Sequence, residues 1–468
     1  MKRREFMAQA GVMAGLGLLA GATPATVAEV GRGADRAAPG PIRISRIDAR
    51  FEREPVSRPW GFKGGYMTEI WQVAALMESE SGAHGIGLGT QNVLWSDASV
   101  FAATTEGGGN ALMYALTDHA LQVARDTSFT TPLDLLDRVL PAVHEHGRRI
   151  TGNPNLRKTF TLNALVAFDN AAWLLYAAEN GLRTFDELIP AEYRPGLSYR
   201  HREVASVPAV GYSMPMDEVS QLAEQGYWVM KIKLGQSGTQ AEMLEKDKAR
   251  LSAIHQAMGA HRTTHTPTGK IPYYLDANGR YEAKETVQRL LEHAKKIGAL
   301  EQIVLFEEPF PEEYDAHVDD LPVRIVADES AHTDEDVVTR IQMGYGAIAL
   351  KPIAKTLSMT MRMAQAAHER GTPCFCADLT VNPILVDWNK NIAARVAPVP
   401  GFTAGLMENN GHQNYRDWAR MESYHPRRDA TWRRDTDGVF RLGPDFWAES
   451  GGIFLPSAHY EELFRPVA

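Results

Sequence analysis

The chain of 468 residues is short of cysteine, of surplus positive charge and of long apolar runs, and each shortage excludes a class of protein. Two cysteines cannot build a disulfide framework. Cys374 and Cys376 stand two apart on one predicted strand, which puts both on one face as small buried residues. A formal charge of −9 argues against a nucleic-acid partner, which needs a basic face. The apolar run of residues 10–21 is too short to span a membrane, so no stable span is expected. No glycine-rich phosphate loop follows an early strand, so a doubly wound dinucleotide fold fits poorly. What is present is ordinary globular composition, 44% hydrophobic and 23% charged, enough for two or three domains with large cores.

The first forty residues stand apart. Arg3-Arg4 and Phe6 precede the mild apolar run, and Ala20-Gly21-Ala22 and Ala25 offer small-residue cleavage sites. The pattern resembles a twin-arginine export signal with a Gly/Ala-rich spacer over residues 1–40, and it predicts a periplasmic or secreted protein. A basic, disordered N-terminus is the plainer alternative.

Residues 41–200 read as an α+β domain. Ile42 to Phe51 alternates as a half-exposed strand, and Glu69 to Glu78 is a second strand. Between them Arg58-Pro-Trp-Gly-Phe-Lys-Gly-Gly-Tyr reads as a loop that offers apolar surface to a ligand, with Trp60 as a candidate contact. Over residues 201–411 the pattern becomes strand, helix, strand, helix. Eight short apolar strands, the first at Val207–Tyr212, are separated mostly by amphipathic runs, which predicts a (β/α)8 barrel. Gly259 to Gly269 reads as an exposed insertion, and its His261–His265 pair has no helix to present both rings to a metal. The tail, residues 412–468, is expected to return over the first domain.

Charged residues stand where the buried strands stop. Met-Lys-Ile-Lys-Leu-Gly carries Lys231 and Lys233, Tyr-Leu-Asp-Ala-Asn-Gly carries Asp276, Phe-Glu-Glu-Pro carries Glu307 and Glu308, Val-Ala-Asp-Glu-Ser carries Asp328, and Ala-Ile-Ala-Leu-Lys-Pro carries Lys351. Asp276, Glu307, Asp328 and Lys351 follow one another at intervals of 31, 21 and 23 positions, each suited to one β/α unit. A β/α barrel keeps its active site at the C-terminal ends of its strands. Three acids converging there can hold a hard divalent cation such as Mg²⁺ or Mn²⁺, and lysines at the same rim can move protons. Alternation puts Lys231 and Lys233 on one face and Glu308 on the face opposite Glu307.

These motifs, in this order, resemble the enolase superfamily. The lysine on the sixth strand points to the muconate lactonizing enzyme branch of the mandelate racemase/muconate lactonizing enzyme family, and Ala-Phe-Asp-Asn-Ala-Ala-Trp (167–173) is similar to that family's cap helix. The resemblance implies an N-terminal capping domain over the barrel mouth, an essential Mg²⁺ held by Asp276, Glu307 and Asp328, and acid/base roles for Lys233 and Lys351 on opposite substrate faces. Lys231 would hold the carboxylate or the enolate, the substrate would be a small carboxylic acid, and a homo-oligomer is expected.

The proton beside a carboxylate is weakly acidic, and its removal makes an enediolate that a divalent ion and an ammonium stabilise. Reprotonation from the other face gives racemisation or epimerisation; loss of a β-group gives dehydration, and cycloisomerisation is the reverse of such a loss. Asp378, Glu408 and Asn409, at the ends of the seventh and eighth strands, are candidate substrate contacts, with Thr380, Asn410 and His412 nearby. The run Met-Glu-Asn-Asn-Gly departs from the Asp-x-Asp of dipeptide epimerases and suggests a hydroxylated substrate such as a sugar acid, although cyclic amino acids also fit. A non-catalytic periplasmic binder would not need three metal acids and two lysines. A metal-dependent hydrolase would place histidines at the motif strands, and there are none.

Overall fold

The structure is a computed structural model that describes residues 40–465. The export-type segment, with Arg3 and Arg4, lies outside the described residues apart from Gly40. Among the described residues no helix is long and apolar enough to cross a membrane.

The cap is a four-stranded sheet with helices on one face. Strands β1 (Ile42–Phe62), β2 (Gly65–Ser79) and β3 (His84–Gln91) form an antiparallel meander, and β4 (Ser128–Phe129) pairs with the start of β1. The stretch Arg58–Tyr66, expected as a loop, is the tip of the β1–β2 hairpin. Only Lys63 and Gly64 turn, both at positive φ (51° and 74°), as a two-residue hairpin turn requires. Pro59 sits where the pairing register slips, between Pro55 and Trp60, so its missing N–H costs no ladder bond. Proline and glycine here mark a bulge and a turn inside a strand pair.

Strand β3 packs on the helix Val166–Asn180 through glycines at every second position. A Cβ on Gly87 would lie 2.1 Å from the backbone nitrogen of Ala171, so the helix can lie this close only to glycine. The same helix carries Asp169 and Trp173, both buried.

Residues 203–408 close into a parallel barrel. Its first strand is split at Pro208 into β5 (Glu203–Val207) and β6 (Ala209–Val210). Then follow β7 (Met230–Lys233), β8 (Tyr273–Asp276), β9 (Ile303–Glu307), β10 (Ile325–Ala327), β11 (Ala347–Leu350), β12 (Cys374–Cys376) and β13 (Gly405–Glu408). β6 pairs with β7 and β5 with β13, both parallel, so the split strand joins the two ends of the sheet and completes eight. The first strand starts earlier than expected, at Glu203, and breaks inside the span read as continuous.

The last strand has no long helix after it. In its place β14 (Asp435–Thr436) and β15 (Val439–Arg441) form a hairpin that pairs antiparallel with β5. Elsewhere the tail touches the cap. Tyr415 bridges to Val56 and accepts a hydrogen bond from Gln72 at 2.6 Å, and His459 pairs with Glu52 at 2.9 Å. The insertion at 259–269 is not free surface. His261 and His265 are half-buried, and His265 stacks on Trp228, ring centroids 4.7 Å apart, beside the N-terminal ends of the strands.

Alternation along the strands decides what faces the barrel axis. Val229, Tyr274, Leu305, Val326, Ala349, Phe375 and Leu406 form an inner cluster separate from the main core. Their neighbours Ile232, Leu275, Phe306, Ile325, Ile348 and Met407 belong to the core shared with the helices. Cys374 and Cys376, both free and buried, are on that outer side.

Cap and barrel are clamped at one point beneath the sixth strand. Asp169 accepts hydrogen bonds from the backbone N–H and the hydroxyl of Ser358 (3.0 and 2.6 Å), and the Trp173 indole donates to the same hydroxyl at 2.9 Å. Ser358 lies in the first turn of the helix Leu357–His368, whose N-cap Thr356 is held at a φ of 71°. Burial lifts the Asp169 pKa from 3.8 to about 6, against the hydrogen bonds from Ser358. A carboxyl whose folded pKa is raised contributes stability below its unfolded pKa, and loses it as pH rises through the folded value. Stability of the wild type relative to Asp169→Asn should therefore fall between pH about 4 and about 6, by up to about 3 kcal/mol. Urea melts of both proteins across that window check this; parallel profiles would mean that Asp169 ionises as it does in water.

Candidate active site

Except on the seventh strand, where Phe375 leads to Ala377, each inward residue of the inner cluster is followed at an even step by a charged residue at the C-terminal mouth. Val229 leads to Lys231 and Lys233, Tyr274 to Asp276, Leu305 to Glu307, Val326 to Asp328, Ala349 to Lys351 and Leu406 to Glu408. Lys233, Asp276 and Glu307 are paired in register across β7, β8 and β9, so they lie level on adjacent strands.

The Lys231 ammonium lies among three carboxylates, 3.0 Å from Asp276, 2.9 Å from Glu307 and 2.8 Å from Glu408. Burial disfavours its charge, but those acids outweigh burial and hold its pKa well above the ordinary lysine value. Lys233 contacts Asp276 at 2.5 Å and Asn278 at 3.2 Å. Lys351 is hydrogen-bonded to Asp328, and Lys355, which the sequence motifs did not single out, donates to the backbone carbonyl of Asp328 at 2.6 Å and to its carboxylate at 3.0 Å. Tyr274 donates its hydroxyl to Glu307.

The three carboxylates whose oxygens lie within 4.8 Å of one another are Glu307, Asp328 and Glu329. Asp276 stands opposite Glu307 on the next strand, but its carboxylate is engaged by Lys231 and Lys233. Burial would raise its pKa, yet the two lysines hold it down at about 2. Glu329 joins the cluster because β10 ends at Ala327, so strand alternation no longer directs it outward. It accepts from Asn278 at 2.9 Å, while its Oε2 is buried without a partner. Glu308 faces away from the mouth and props the Asp328 turn: its carboxylate accepts from the N–H of Asp328 (2.7 Å) and from the N–H and hydroxyl of Ser330 (3.3 and 3.0 Å). Burial and the charge of Glu329 raise its pKa to about 8.

This donor set fits a divalent cation. Asp276, Glu307, Glu308, Asp328, Glu329, Asp378 and Glu408 are buried together with Lys63, Lys231, Lys233, Lys351 and Lys355, seven acids against five ammoniums. With every group ionised the acids would exceed the ammoniums by two, and the raised pKa values of Glu307, Glu308 and Asp378 show where that excess is resisted. Burial, with Asp328 and Glu408 nearby, raises the Glu307 pKa to about 7 although Lys231 and Lys351 oppose it, the signature of carboxylates short of positive charge. All the donors are carboxylate oxygens, the preference of Mg²⁺.

Above these groups lies a small cavity lined by Trp60, Phe62, Met67, Asn92 and Trp95 of the cap and by Lys233, Lys351, Asp378, Leu379, Thr380, Glu408 and Asn410 of the barrel. Its free volume is about 20 Å³, room for about one water. At the tip Lys63 donates to the Trp95 carbonyl at 2.8 Å and lies 3.8 Å from Glu329. Cap rings cover both lysines: Trp95 is 4.4 Å from the Lys351 ammonium and Phe62 is 5.7 Å from that of Lys233.

Asp378 is part of the wall and not a helix cap; Asn382 caps the next helix. Asp378 accepts from the N–H of Asn410 at 3.0 Å and gives its own N–H to Glu408 at 2.9 Å. Burial and Glu408 raise its pKa to about 7. Asn409 does not join the cavity. Following Glu408 on the strand, it turns outward, donates to Ser206 at 3.2 Å and lines a separate cavity with His412 and Asp387.

A closed parallel barrel with acids and lysines at the C-terminal ends of its strands, under an α+β cap, defines an enzyme of the enolase type. Residues 216–421 match the family described as enolase C-terminal domain-like. No curated protein matches the chain. Among solved structures, a mandelate racemase/muconate lactonizing protein from Herpetosiphon aurantiacus superposes with a TM-score of 0.58 at 16% identity, over 86% of this chain and 96% of that one. The L-Ala-D/L-Glu epimerase from Bacillus subtilis gives 0.58 at 17% over 80% and 91%. A dipeptide epimerase from Enterococcus faecalis V583 gives 0.56 at 17% over 80% and 92%. Identities this low carry the fold alone.

Glu307→Gln and Asp328→Asn should each weaken Mg²⁺ binding by roughly tenfold or more in calorimetry on the full chain. Glu329→Gln should cost more affinity than Asp276→Asn. Unchanged affinity in the Glu307 and Asp328 variants would remove the metal from this mouth.

Proposed function

We propose that this protein removes the proton α to a substrate carboxylate and returns a proton to the resulting enediolate, giving racemisation or epimerisation. The observation that carries the reading is that Lys233 and Lys351 line one cavity from opposite sides of the barrel. Lys233 ends β7, the second of eight strands, and Lys351 follows β11, the sixth, so they are half a turn apart. One lysine takes the proton from one face of the α-carbon, and the other delivers a proton to the opposite face.

Lys231 has another part. Held by three carboxylates, it stays an ammonium and supplies fixed positive charge below the reacting carbon. A divalent cation held by Glu307 and Asp328, with Glu329 or Asp276, would stabilise the two enediolate oxygens as charge develops on them. Tyr274 and Lys355 fix the carboxylates of Glu307 and Asp328, which keeps those donors in place without reorganisation. Phe62 and Trp95 of the cap cover the two lysines and leave little room for water, which strengthens the charge interactions there. Two of the structural neighbours are named as epimerases, which suits this outcome.

Elimination from a hydroxylated acid is the second reading. It is favoured by Asp378, a carboxyl on the cavity wall raised to about 7, which can give a proton to a departing hydroxyl near neutral pH.

In D₂O, Lys233→Ala should stop α-proton exchange from one enantiomer of a racemisable acid, and Lys351→Ala from the other. NMR on each enantiomer reads this directly. Unchanged exchange in either variant would refute the two-base assignment. Loss of all turnover in both variants, with a single enantiomer still exchanging, would move the reaction to the elimination class.

A further inference from the structure

Most polar groups around the cavity are already paired with one another. Thr380 donates to Asn410 at 2.6 Å and accepts from Asn414 at 3.2 Å, and Asn410 donates to Glu408 at 3.0 Å. Asn92 caps the short helix that carries Trp95, accepting from the Trp95 N–H at 3.1 Å. Lys233 and Lys351 are held by Asp276 and Asp328. Among the described residues lining this space, two buried side-chain polar atoms have no partner: the indole nitrogen of Trp95 and Oδ1 of Asp378.

A buried polar atom without a partner is costly, and at a cavity wall it marks the place of a ligand group. The indole N–H can only donate. Oδ1 of Asp378 accepts when the carboxyl is ionised. Trp95 lines the cavity from the cap and Asp378 from the end of the seventh strand, so the two residues stand on opposite walls. The rest of the lining, Trp60, Phe62, Met67 and Leu379, is apolar.

We infer that Trp95 and Asp378 are a specificity-determining pair that reads one substituent able both to give and to take a hydrogen bond, on an otherwise apolar carboxylic acid. A hydroxyl, or an amide N–H with its carbonyl, supplies that chemistry. A polyhydroxylated sugar acid suits the site less well, because Asn92, Thr380, Glu408 and Asn410 are already paired and further hydroxyls would meet Trp60, Phe62 and Met67. The inference rests on the proton-abstraction reading for the position of the substrate carboxylate, but its test does not need turnover.

The test is calorimetric binding of four acids to the full chain with Mg²⁺: phenyllactate, its deoxy counterpart hydrocinnamate, N-acetylphenylalanine and gluconate. α-Proton exchange in D₂O is measured alongside. The expected result is that phenyllactate or N-acetylphenylalanine binds roughly tenfold more tightly than hydrocinnamate and gluconate. Which of the two leads decides between a hydroxyl and an amide. Trp95→Phe, which keeps a ring over Lys351, and Asp378→Asn should each bring that preference down to about twofold while hydrocinnamate binds as before. A purely structural role would weaken all four acids together. A preference that survives in both variants, tightest binding of gluconate, or equal or undetectable binding of all four acids overturns the inference. Preference without any exchange keeps the pair and overturns the proton-abstraction reading; exchange without preference does the reverse.

Discussion

A charge taken out of water has to find its opposite, and at this barrel mouth that requirement organises nearly everything else. Lys231 is surrounded by acids because an ammonium at that depth has no other way to keep its charge. Burial, with Asp328 and Glu408 close by, raises the Glu307 pKa, and a divalent cation beside Glu307 and Asp328 would relieve that crowding. Tyr274, Asn278, Ser330 and Lys355 then hold the carboxylates in fixed orientations. The cap completes this by contributing Lys63 and by covering the lysines with Trp95 and Phe62.

Strand alternation is the bridge from sequence to site. Lys231, Lys233, Asp276, Glu307, Asp328, Lys351 and Glu408 were legible because each follows an inward apolar residue by an even step on a short buried strand. Asn409, expected as a substrate contact, instead lines a different cavity. Glu329 was not legible because it lies past the end of its strand, where the period of two no longer holds. Lys355 ends the one-turn helix Pro352–Lys355 after Lys351, and Lys63 and Trp95 belong to the cap. Long-range packing alone brings those three to the mouth.

The hairpin tip shows how a local signal misleads. Pro59, Gly61, Gly64 and Gly65 look like loop composition, yet only two residues turn. The rest of that composition serves a bulge and tight contacts; a Cβ on Gly61 would lie 2.6 Å from the Tyr66 ring. The insertion before β8 misleads in the opposite sense. Its Gly, Thr and Pro residues suggest free surface, but an aromatic stack on Trp228 draws it against the barrel. In both places the sequence names the turn residues correctly, and tertiary packing decides how much chain they occupy.

The tail that stands in for the last barrel helix has a consequence for how this architecture can be inherited. Arg420 reaches Glu54 at 2.5 Å, the N–H of Arg416 bonds the carbonyl of Pro55 at 3.1 Å, and β15 lies along β5. The cap is thus assembled from segments before and after the barrel, and the seam of the barrel is covered by the same segment that braces the cap hairpin. Recombination could not exchange the cap as one contiguous cassette. A chimera would have to carry both flanks together, so the lid and the catalytic floor are expected to diverge along a lineage as a single unit.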